Sequence, residues 1–280
     1  MAMLPQFQAP GAEAPSPPLT AGKIEVMRAV RFALEDRENR VMNIAFGLLL
    51  QFIPVVGPIT LMGWHAEILQ RLVRQHPRPI PKFDFNDFVH YLQRGLVPFG
   101  VQFVFMLPVM FLWYIVTIIL TMVSGALGGL IGVPEIGVLL VFATMGLSSV
   151  LLVVFLTVFL NAATLRAELC EDFGTALSFG SIWRYAGATW KRALGYGLLL
   201  ALLTTVGIFL GLLAFCVGAY VVMAIITFAQ THLRYQIYAA YLAEGGAPLP
   251  IKDAVSLPSE AAPAHAARAE QYYQQPPPQG

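Results

Sequence analysis

Long runs of apolar residues, separated by short polar stretches, dominate the middle of the chain. Residues 95–165 contain no Lys, Arg or Asp and a single Glu, Glu135, which lies in the glycine-rich sequence GALGGLIGVPEIG. The flanking segments, 98–124 and 136–162, are each long enough to cross about 30 Å of hydrocarbon at about 1.5 Å per residue. The pattern predicts two membrane-spanning helices joined by a turn.

Two further apolar regions extend this plan. Residues 193–214 and 217–242 predict a second helical hairpin, with its turn near Cys216. The first apolar block, residues 41–64, is about one span long but carries Pro54, Gly57 and Pro58 in its middle. It therefore fits either one crossing or a hairpin of two shorter segments, 41–53 and 58–75, with these three residues as the hinge.

The distribution of charge favours the hairpin. Cytoplasmic loops near membrane spans are enriched in Lys and Arg, and clusters of basic residues both precede and follow the block. A single crossing would place the two clusters on opposite sides of the membrane, whereas a hairpin leaves all 17 Lys and Arg on one side. We therefore predict six helical segments in the cytoplasmic (inner) cell membrane, with both termini in the cytoplasm. Residues 41–52 cover only about 18 Å, so a re-entrant hairpin stays open as an alternative.

Amphipathic segments connect the spans. Apolar residues at helical spacing form one stripe in residues 24–40, 85–96 and 176–190, with charged residues on another face, as in helices that lie in the membrane interface. The first and third connectors share related sequences, AVRF followed by FGLLL and ALSF followed by YGLLL, which suggests a degenerate duplication. Aromatic and basic side chains of the third connector are predicted to contact lipid headgroups: Trp183, Arg184, Trp190, Lys191 and Arg192.

The two ends differ from the apolar middle. Residues 1–21 contain five prolines, and residues 244–280 are rich in Pro, Ala and Gln. Such segments hold too little apolar surface to offset the conformational entropy lost on folding. We predict a disordered head (1–21), a membrane domain (22–243) and a disordered tail (244–280).

Composition narrows the possible classes of protein. Of the 280 residues, 57% are hydrophobic and 12% are charged, whereas a soluble domain has about 25% charged residues. The formal net charge of +1 lacks the basic excess that nucleic-acid binding needs. The two cysteines cannot form a four-ligand zinc site by themselves, and no cofactor or metal is predicted.

Three stretches carry a family resemblance. They are FGLLLQFIPVVGPITLMGWHAEILQRLVR, the sequence PIPKFDFNDF that leads into an amphipathic helix, and THLRYQIYAAYL near the end of the apolar region. Through them, the chain resembles the membrane proteins grouped as domain of unknown function 4013, over about residues 26–242. The resemblance implies a multi-pass membrane protein and supplies no catalytic residues to transfer.

Polar side chains inside apolar segments are the candidate sites, because they are costly to bury in a membrane. His65 and Glu67 are predicted to face the headgroups, with Glu67 paired to Arg71 at i+4; a proton or ion site is the alternative. His232 is predicted to form an interhelical hydrogen bond. A serine hydrolase using Ser148 is disfavoured, since the sequence offers no oriented third group.

The fold predicted is all-α, a polytopic membrane helical bundle with interfacial amphipathic helices. The first functional hypothesis is a non-enzymatic membrane module that organises lipid, or a partner protein in the membrane, or a second copy of itself. The alternative is a small transporter or channel that uses the broken first hairpin, because broken helices in repeated halves often mark substrate sites. An enzyme is not expected, because no acid, base and nucleophile can be assembled from these residues.

Overall fold

The computed structural model describes residues 23–213 and 217–260. Within these ranges the chain is helical and contains no strand, so the all-α prediction is confirmed. A 3₁₀ turn, Phe85–Asp87, and a π-helical segment, Leu156–Leu160, interrupt the series. The α-helices are α1 (Val26–Glu35), α2 (Arg40–Gln51), α3 (Val56–Val73), α4 (Phe88–Ile131), α5 (Pro134–Phe155), α6 (Asn161–Cys170), α7 (Phe173–Ala176), α8 (Phe179–Leu212) and α9 (Val217–Ala243).

Long apolar helices form one part of the molecule. In the part of the chain that the structure describes, three helical stretches are long and apolar enough to cross a membrane: Phe85–Ile131, Glu135–Cys170 and Phe179–Leu212. They contain the predicted spans 98–124, 136–162 and most of 193–214. Large apolar side chains such as Phe111, Leu139 and Phe209 are exposed on them, as expected of helices surrounded by lipid chains. The count of six membrane segments stays a prediction.

The chain changes direction between α2 and α3, at Pro54, and Gly57 and Pro58 lie in the first turn of α3. Helix α2 ends before these residues and α3 begins at Val56. Val55 has a positive φ of 63°, and a Cβ on Gly57 would overlap the carbonyl oxygen of Leu50. The turn between the two helices therefore depends on a strained residue and on a glycine that lets the start of α3 approach the end of α2.

Helix α3 lies in the interior of the protein. Fourteen of its 18 residues are buried, and it packs against α4, α6 and α9. Gly63 of α3 and Gly95 of α4 bring the two backbones into direct contact, since a Cβ on Gly63 would overlap the carbonyl oxygen of Tyr91. Trp64, fully buried beside this crossing, anchors the aromatic core. The predicted segment 58–75 is thus a core helix covered by protein.

The two related connectors have different structures. Residues 24–40, at the first connector, form α1 and a turn before α2, whereas the third connector continues without a break into the span, as the 34-residue helix α8. At about 1.5 Å per residue α8 is about 51 Å long. Part of it therefore extends beyond a hydrocarbon layer of about 30 Å. The two connectors are therefore more similar in sequence than in local structure.

A C-terminal strap, residues 244–260, packs against the buried end of the bundle. The backbone amide of Leu249 donates to the hydroxyl of Tyr238 at 2.9 Å, and that of Lys252 donates to the carbonyl of Leu169 at 2.9 Å. Leu257 is fully buried in the main core. This packing corrects the prediction of a disordered tail from Glu244 onward, because two buried leucines and several polar anchors fix a segment of low overall hydrophobicity. The rest of that tail, 261–280, and the predicted head, 1–21, lie outside the described residues.

Candidate functional site

Glu67 lies at the centre of a buried group of charges. Its Oε1 is 2.5 Å from Nε of Arg71 on the same helix, the pair predicted at i+4. Its Oε2 forms an ion pair with Arg94 of α4. Arg94 also donates from Nε to Oε1 of Glu171, at 2.6 Å. The side chains of all four residues are at most 6% exposed, so each charge is compensated by protein groups and not by water.

Charged residues of the strap complete this group. Lys252 Nζ lies 3.0 Å from Oε2 of Glu171, and Glu260 Oε2 lies 2.8 Å from Nη2 of Arg71. We call the six residues the ion-pair network; its three carboxylates balance its three cations, and it joins α3, α4, the α6–α7 loop and the strap. The members are Glu67, Arg71, Arg94, Glu171, Lys252 and Glu260.

Polar contacts outside the network hold the strap as well. Asp87, fully buried at the start of α4, accepts hydrogen bonds from the amide of Ser259 at 2.9 Å and from its hydroxyl at 2.5 Å. Arg74 donates to the carbonyl of Lys252. The strap is therefore held near its middle, at Lys252, and near residue 260, at Ser259, by charge-assisted hydrogen bonds, which are stronger than neutral ones.

His65 and Glu67 are both buried in the protein interior, so the prediction that they face lipid headgroups is wrong. The reason is the placement of α3, which is enclosed by its neighbours on nearly every side. The ring of His65 packs edge-to-face on Phe228 of α9, with the ring centroids 5.5 Å apart. Its environment is aromatic, whereas that of Glu67 is ionic.

His232 contributes to the contact between α9 and α1. Its ring stacks on Phe32 with a centroid distance of 4.5 Å, and its Nδ1 lies 2.9 Å from Nε2 of Gln236 on the same helix. The interhelical hydrogen bonds are made by Gln236, which accepts from the amide of Glu25 at 2.6 Å and donates to its carbonyl at 3.1 Å. His232 therefore orients Gln236. The contacts of His65, Glu67 and His232 are with different partners and form three separate environments.

The predicted headgroup contacts lie along the first half of α8. Trp183 and Trp190 are exposed, as are Arg184 and Lys191, and Lys191 Nζ lies 5.7 Å from the ring centroid of Trp190. We call these four exposed residues the aromatic-basic belt. Arg192 differs from them, because it is half-buried and forms an ion pair with Glu244, in which its Nη1 donates to Oε2 at 2.8 Å. This hydrogen bond holds the pKa of Glu244 below its ordinary value.

One charged pair escaped the sequence analysis. Glu168 of α6, 1% exposed, lies 3.0 Å from Nη2 of Arg234 in α9. The pair connects residues 66 positions apart in the chain, and no local spacing rule relates positions so far apart. The signal present in the sequence is the basic residue Arg234 within the apolar helix α9, where a buried charge favours a partner.

Arg234 also lines a cleft of about 390 Å³ between the π-helical segment, α6, α8 and α9. The volume is in the range of small-ligand sites. π-Helical turns are rare and are frequently found at functional sites, and Thr157 of the π segment forms part of the wall. Polar residues of the wall include Thr157, Asn161, Thr189, Thr204, Thr205 and Arg234.

The described residues contain no group of three or more His, Cys, Asp or Glu side chains that could hold a metal ion. Cys170 is buried and unbonded, and its sequence counterpart Cys216 lies outside the described ranges. Among the described residues, the buried charges are held by ion pairs or, for Arg166 and Asp87, by hydrogen bonds to Thr175 and Ser259.

A comparison with protein families places this chain, with its buried charges and long exposed apolar helices, in a known family. The family described as "Protein of unknown function (DUF4013)" matches residues 46–217. The chain belongs to this family. The DUF4013 region begins within α2 and reaches the first residue of α9, so it includes the hinge, Glu67, the cleft wall on α6 and α8, and the aromatic-basic belt. The resemblance found in the sequence is thereby confirmed. The chain matches no curated protein and no solved structure.

Proposed function

We propose that the protein is a multi-pass integral protein of the cell membrane that acts without catalysis, as a module that organises lipid and a membrane partner around it. The main support for the proposal is the contrast, on the long helices, between exposed apolar side chains and the exposed aromatic and basic residues of α8. Their apolar side chains are exposed along most of their length, and α8 then presents the exposed Trp and basic residues of the aromatic-basic belt. Trp prefers the membrane interface, and Lys and Arg attract anionic headgroups.

The ion-pair network supports a structural use of the buried charges. A catalytic acid or base must exchange a proton with a substrate in reach. Glu67 and Glu171 instead bind Arg94 between them and are shielded from solvent by neighbouring helices. Their charges join four parts of the chain, which is what a rigid platform on one side of the membrane requires.

Lipid enrichment tests this proposal directly. The protein is reconstituted in nanodiscs with a mixture of phosphatidylethanolamine and phosphatidylglycerol, and the anionic lipid near it is measured by energy transfer to labelled phosphatidylglycerol. Replacement of both belt cations, Arg184→Gln with Lys191→Gln, is expected to lower the enrichment at least about threefold, given about 1 kcal/mol per cation near the surface. Leu139→Ala with Phe142→Ala, on the exposed face of α5, serves as the matched control. Equal enrichment in both variants would contradict the proposal.

The transporter or channel hypothesis has one specific observation in its favour. The first hairpin is broken at a residue with positive φ, and the buried imidazole of His65 follows it on α3. The hypothesis requires that purified protein in liposomes carry an ion flux, and that His65→Ala, Glu67→Gln or His232→Ala change it. A flux of this kind, with unchanged lipid enrichment in the belt variant, would replace the membrane-module proposal.

A further inference from the structure

The cleft between α6, α8 and α9 has exposed lining residues that adjoin exposed apolar side chains of α8. Asn161, Ala201 and Thr205 line it and are exposed at its mouth. Leu202 and Val206 are the next residues along α8, and they are also exposed. A molecule that enters here comes from among the lipid chains that surround the long helices.

The cleft is elongated along α8. Its wall includes Thr189, next to Trp190 of the aromatic-basic belt, and Thr205. Sixteen residues separate these two positions, which corresponds to about 24 Å along a helix. The cleft therefore reaches from the depth of the belt toward the middle of the apolar region, the direction in which a membrane lipid extends.

The threonines of α8 need no ligand to satisfy their hydroxyl hydrogens. Thr189, Thr204 and Thr205 donate to backbone carbonyls of the preceding turn, at 2.7–2.9 Å. Each hydroxyl oxygen can still accept a hydrogen bond, and it lies beside the methyl group of the same threonine. Such a wall tolerates ester and acyl groups and can accept hydrogen bonds from a headgroup hydroxyl or ammonium.

Arg234 is different, because part of its guanidinium lacks an acceptor. Its Nη2 forms the ion pair with Glu168 and donates to Thr231 at 3.2 Å. Among the described residues, its Nε is buried and has no hydrogen-bond partner. Both carboxylate oxygens of Glu168 are likewise buried without a hydrogen-bond partner in the described part of the chain, so this pair leaves polar atoms of both kinds unsatisfied, at a cost in free energy. Arg234 is the cationic side chain on the cleft wall, and it is the group there that an anionic oxygen would contact.

We propose that this cleft binds one membrane glycerophospholipid, whose phosphate accepts a hydrogen bond from Arg234 and whose glycerol and acyl chain lie along the threonines of α8. Glu168 already neutralises one positive charge at this site. A phosphodiester with one negative charge therefore fits better than a free, doubly charged phosphate. The inference rests on the proposed membrane insertion, and it names the lipid class and the position of a specific site.

Lipid titration of the full-length protein provides the test. Purified protein in detergent is titrated with phosphatidylethanolamine, and bound lipid is counted by native mass spectrometry. Ala201→Phe, which fills the mouth with an apolar ring, is expected to weaken binding at least tenfold. Leu202→Phe, one residue further along α8 and outside the cleft wall, is the matched control and is expected to bind as the parent protein does. Equal binding by the two phenylalanine variants would overturn the proposal.

A second variant tests the role of Arg234 without leaving a charge alone in the core. The double substitution Arg234→Gln with Glu168→Gln removes both members of the pair, and it is expected to lower lipid affinity at least fivefold while the protein stays folded by circular dichroism. Unchanged affinity would overturn the phosphate contact.

Soluble competitors distinguish the source of the phosphate. Inorganic phosphate and glycerol 3-phosphate at millimolar concentration are expected to leave the bound lipid in place. Displacement by either would identify a soluble anion site and overturn the lipid assignment. Extraction of membranes with carbonate separates this proposal from the previous one: release of the protein would end both, whereas retained protein with equal binding by Ala201→Phe and Leu202→Phe would end only the lipid site.

Discussion

Two parts of the molecule differ in which side chains they bury and which they expose. Around α3, α6 and the end of α9, the core contains Glu67, Arg94 and Glu168 as well as Trp64 and Phe228. Along α4, α5 and much of α8, large apolar side chains are exposed instead. The comparison shows that the first part follows the usual rule of an apolar interior and adds paired charges to it, whereas the second part departs from the rule by exposing its apolar side chains. Exposed apolar helices of this length are typical of segments surrounded by lipid chains.

The largest expected loss of stability follows from a substitution in the ion-pair network. Arg94→Met removes the cation shared by Glu67 and Glu171. Breaking a buried ion pair by removal of one partner costs about 3–5 kcal/mol, so the free energy of unfolding in detergent should fall by that amount. Chemical denaturation followed by tryptophan fluorescence measures it. Arg184→Met, at an exposed position, is the control, and similar stability of the two variants would show that the network does not hold this end together.

The strap should respond to loss of its buried leucine. Leu257 is fully buried, and Leu→Ala substitutions in a core cost about 2–5 kcal/mol. We expect the strap to detach before the bundle unfolds, so Leu257→Ala should act mainly on strap docking, at the lower end of that range. Limited proteolysis of the tail reports it, and Val255→Ala, exposed on the same segment, should change the cleavage rate little. Equal rates for the two variants would contradict the docked strap.

Two glycines, one in each part of the molecule, have different surroundings, and the same substitution should affect them differently. Gly63 of α3 has no room for a Cβ, whereas Gly125 of α4 has no neighbouring heavy atom within 4 Å of that position. Gly63→Ala should destabilise by about 1–3 kcal/mol through overpacking, and Gly125→Ala should be neutral or stabilising by up to about 1 kcal/mol. Melting temperatures in one detergent compare them. A lower melting temperature for Gly125→Ala than for Gly63→Ala would contradict the close contact between α3 and α4.

The smallest expected effect concerns pH and the exposed ion pair between Arg192 and Glu244. Because the pKa of Glu244 is lowered, its contribution is fully present at neutral pH and is lost as the pH falls below the ordinary glutamate value and through the lowered one. Exposed pairs contribute little, so Glu244→Gln should raise proteolysis of the strap by no more than roughly a few-fold at pH 7, and the increase should shrink as the pH is lowered stepwise through the acid range. An increase that stays constant across that range would exclude the carboxylate as the cause.

The features that could be predicted are those that depend on residues close together in the sequence. Long apolar runs, the break at Gly57 and the amphipathic period of the connectors all report the immediate surroundings of a helix. The pair Glu67 and Arg71 was predictable for the same reason, since one helical turn joins them. These signals were sufficient for the fold class and for the family.

The remaining features depend on residues far apart in the chain. Arg94 meets Glu171, and Asp87 meets Ser259, and no periodicity relates these positions. Overall hydrophobicity was also misleading for the strap, because the anchoring by Leu257 depends on where one leucine lies and not on how many there are. His65 was placed at the membrane surface because its helix was read as a span, whereas tertiary packing encloses it.

The central claim is that the α4–α5 turn lies across the membrane from the ionic end of the bundle, and cysteine accessibility tests it most directly. In a protein whose native cysteines are replaced by serine, single cysteines are introduced as Lys82→Cys and as Leu130→Cys, beside the turn, and are labelled in intact cells with a membrane-impermeant maleimide. We predict labelling of the cysteine at position 130 from outside, and of the one at 82 only after the membrane is opened. Labelling of both from the same side would contradict the account.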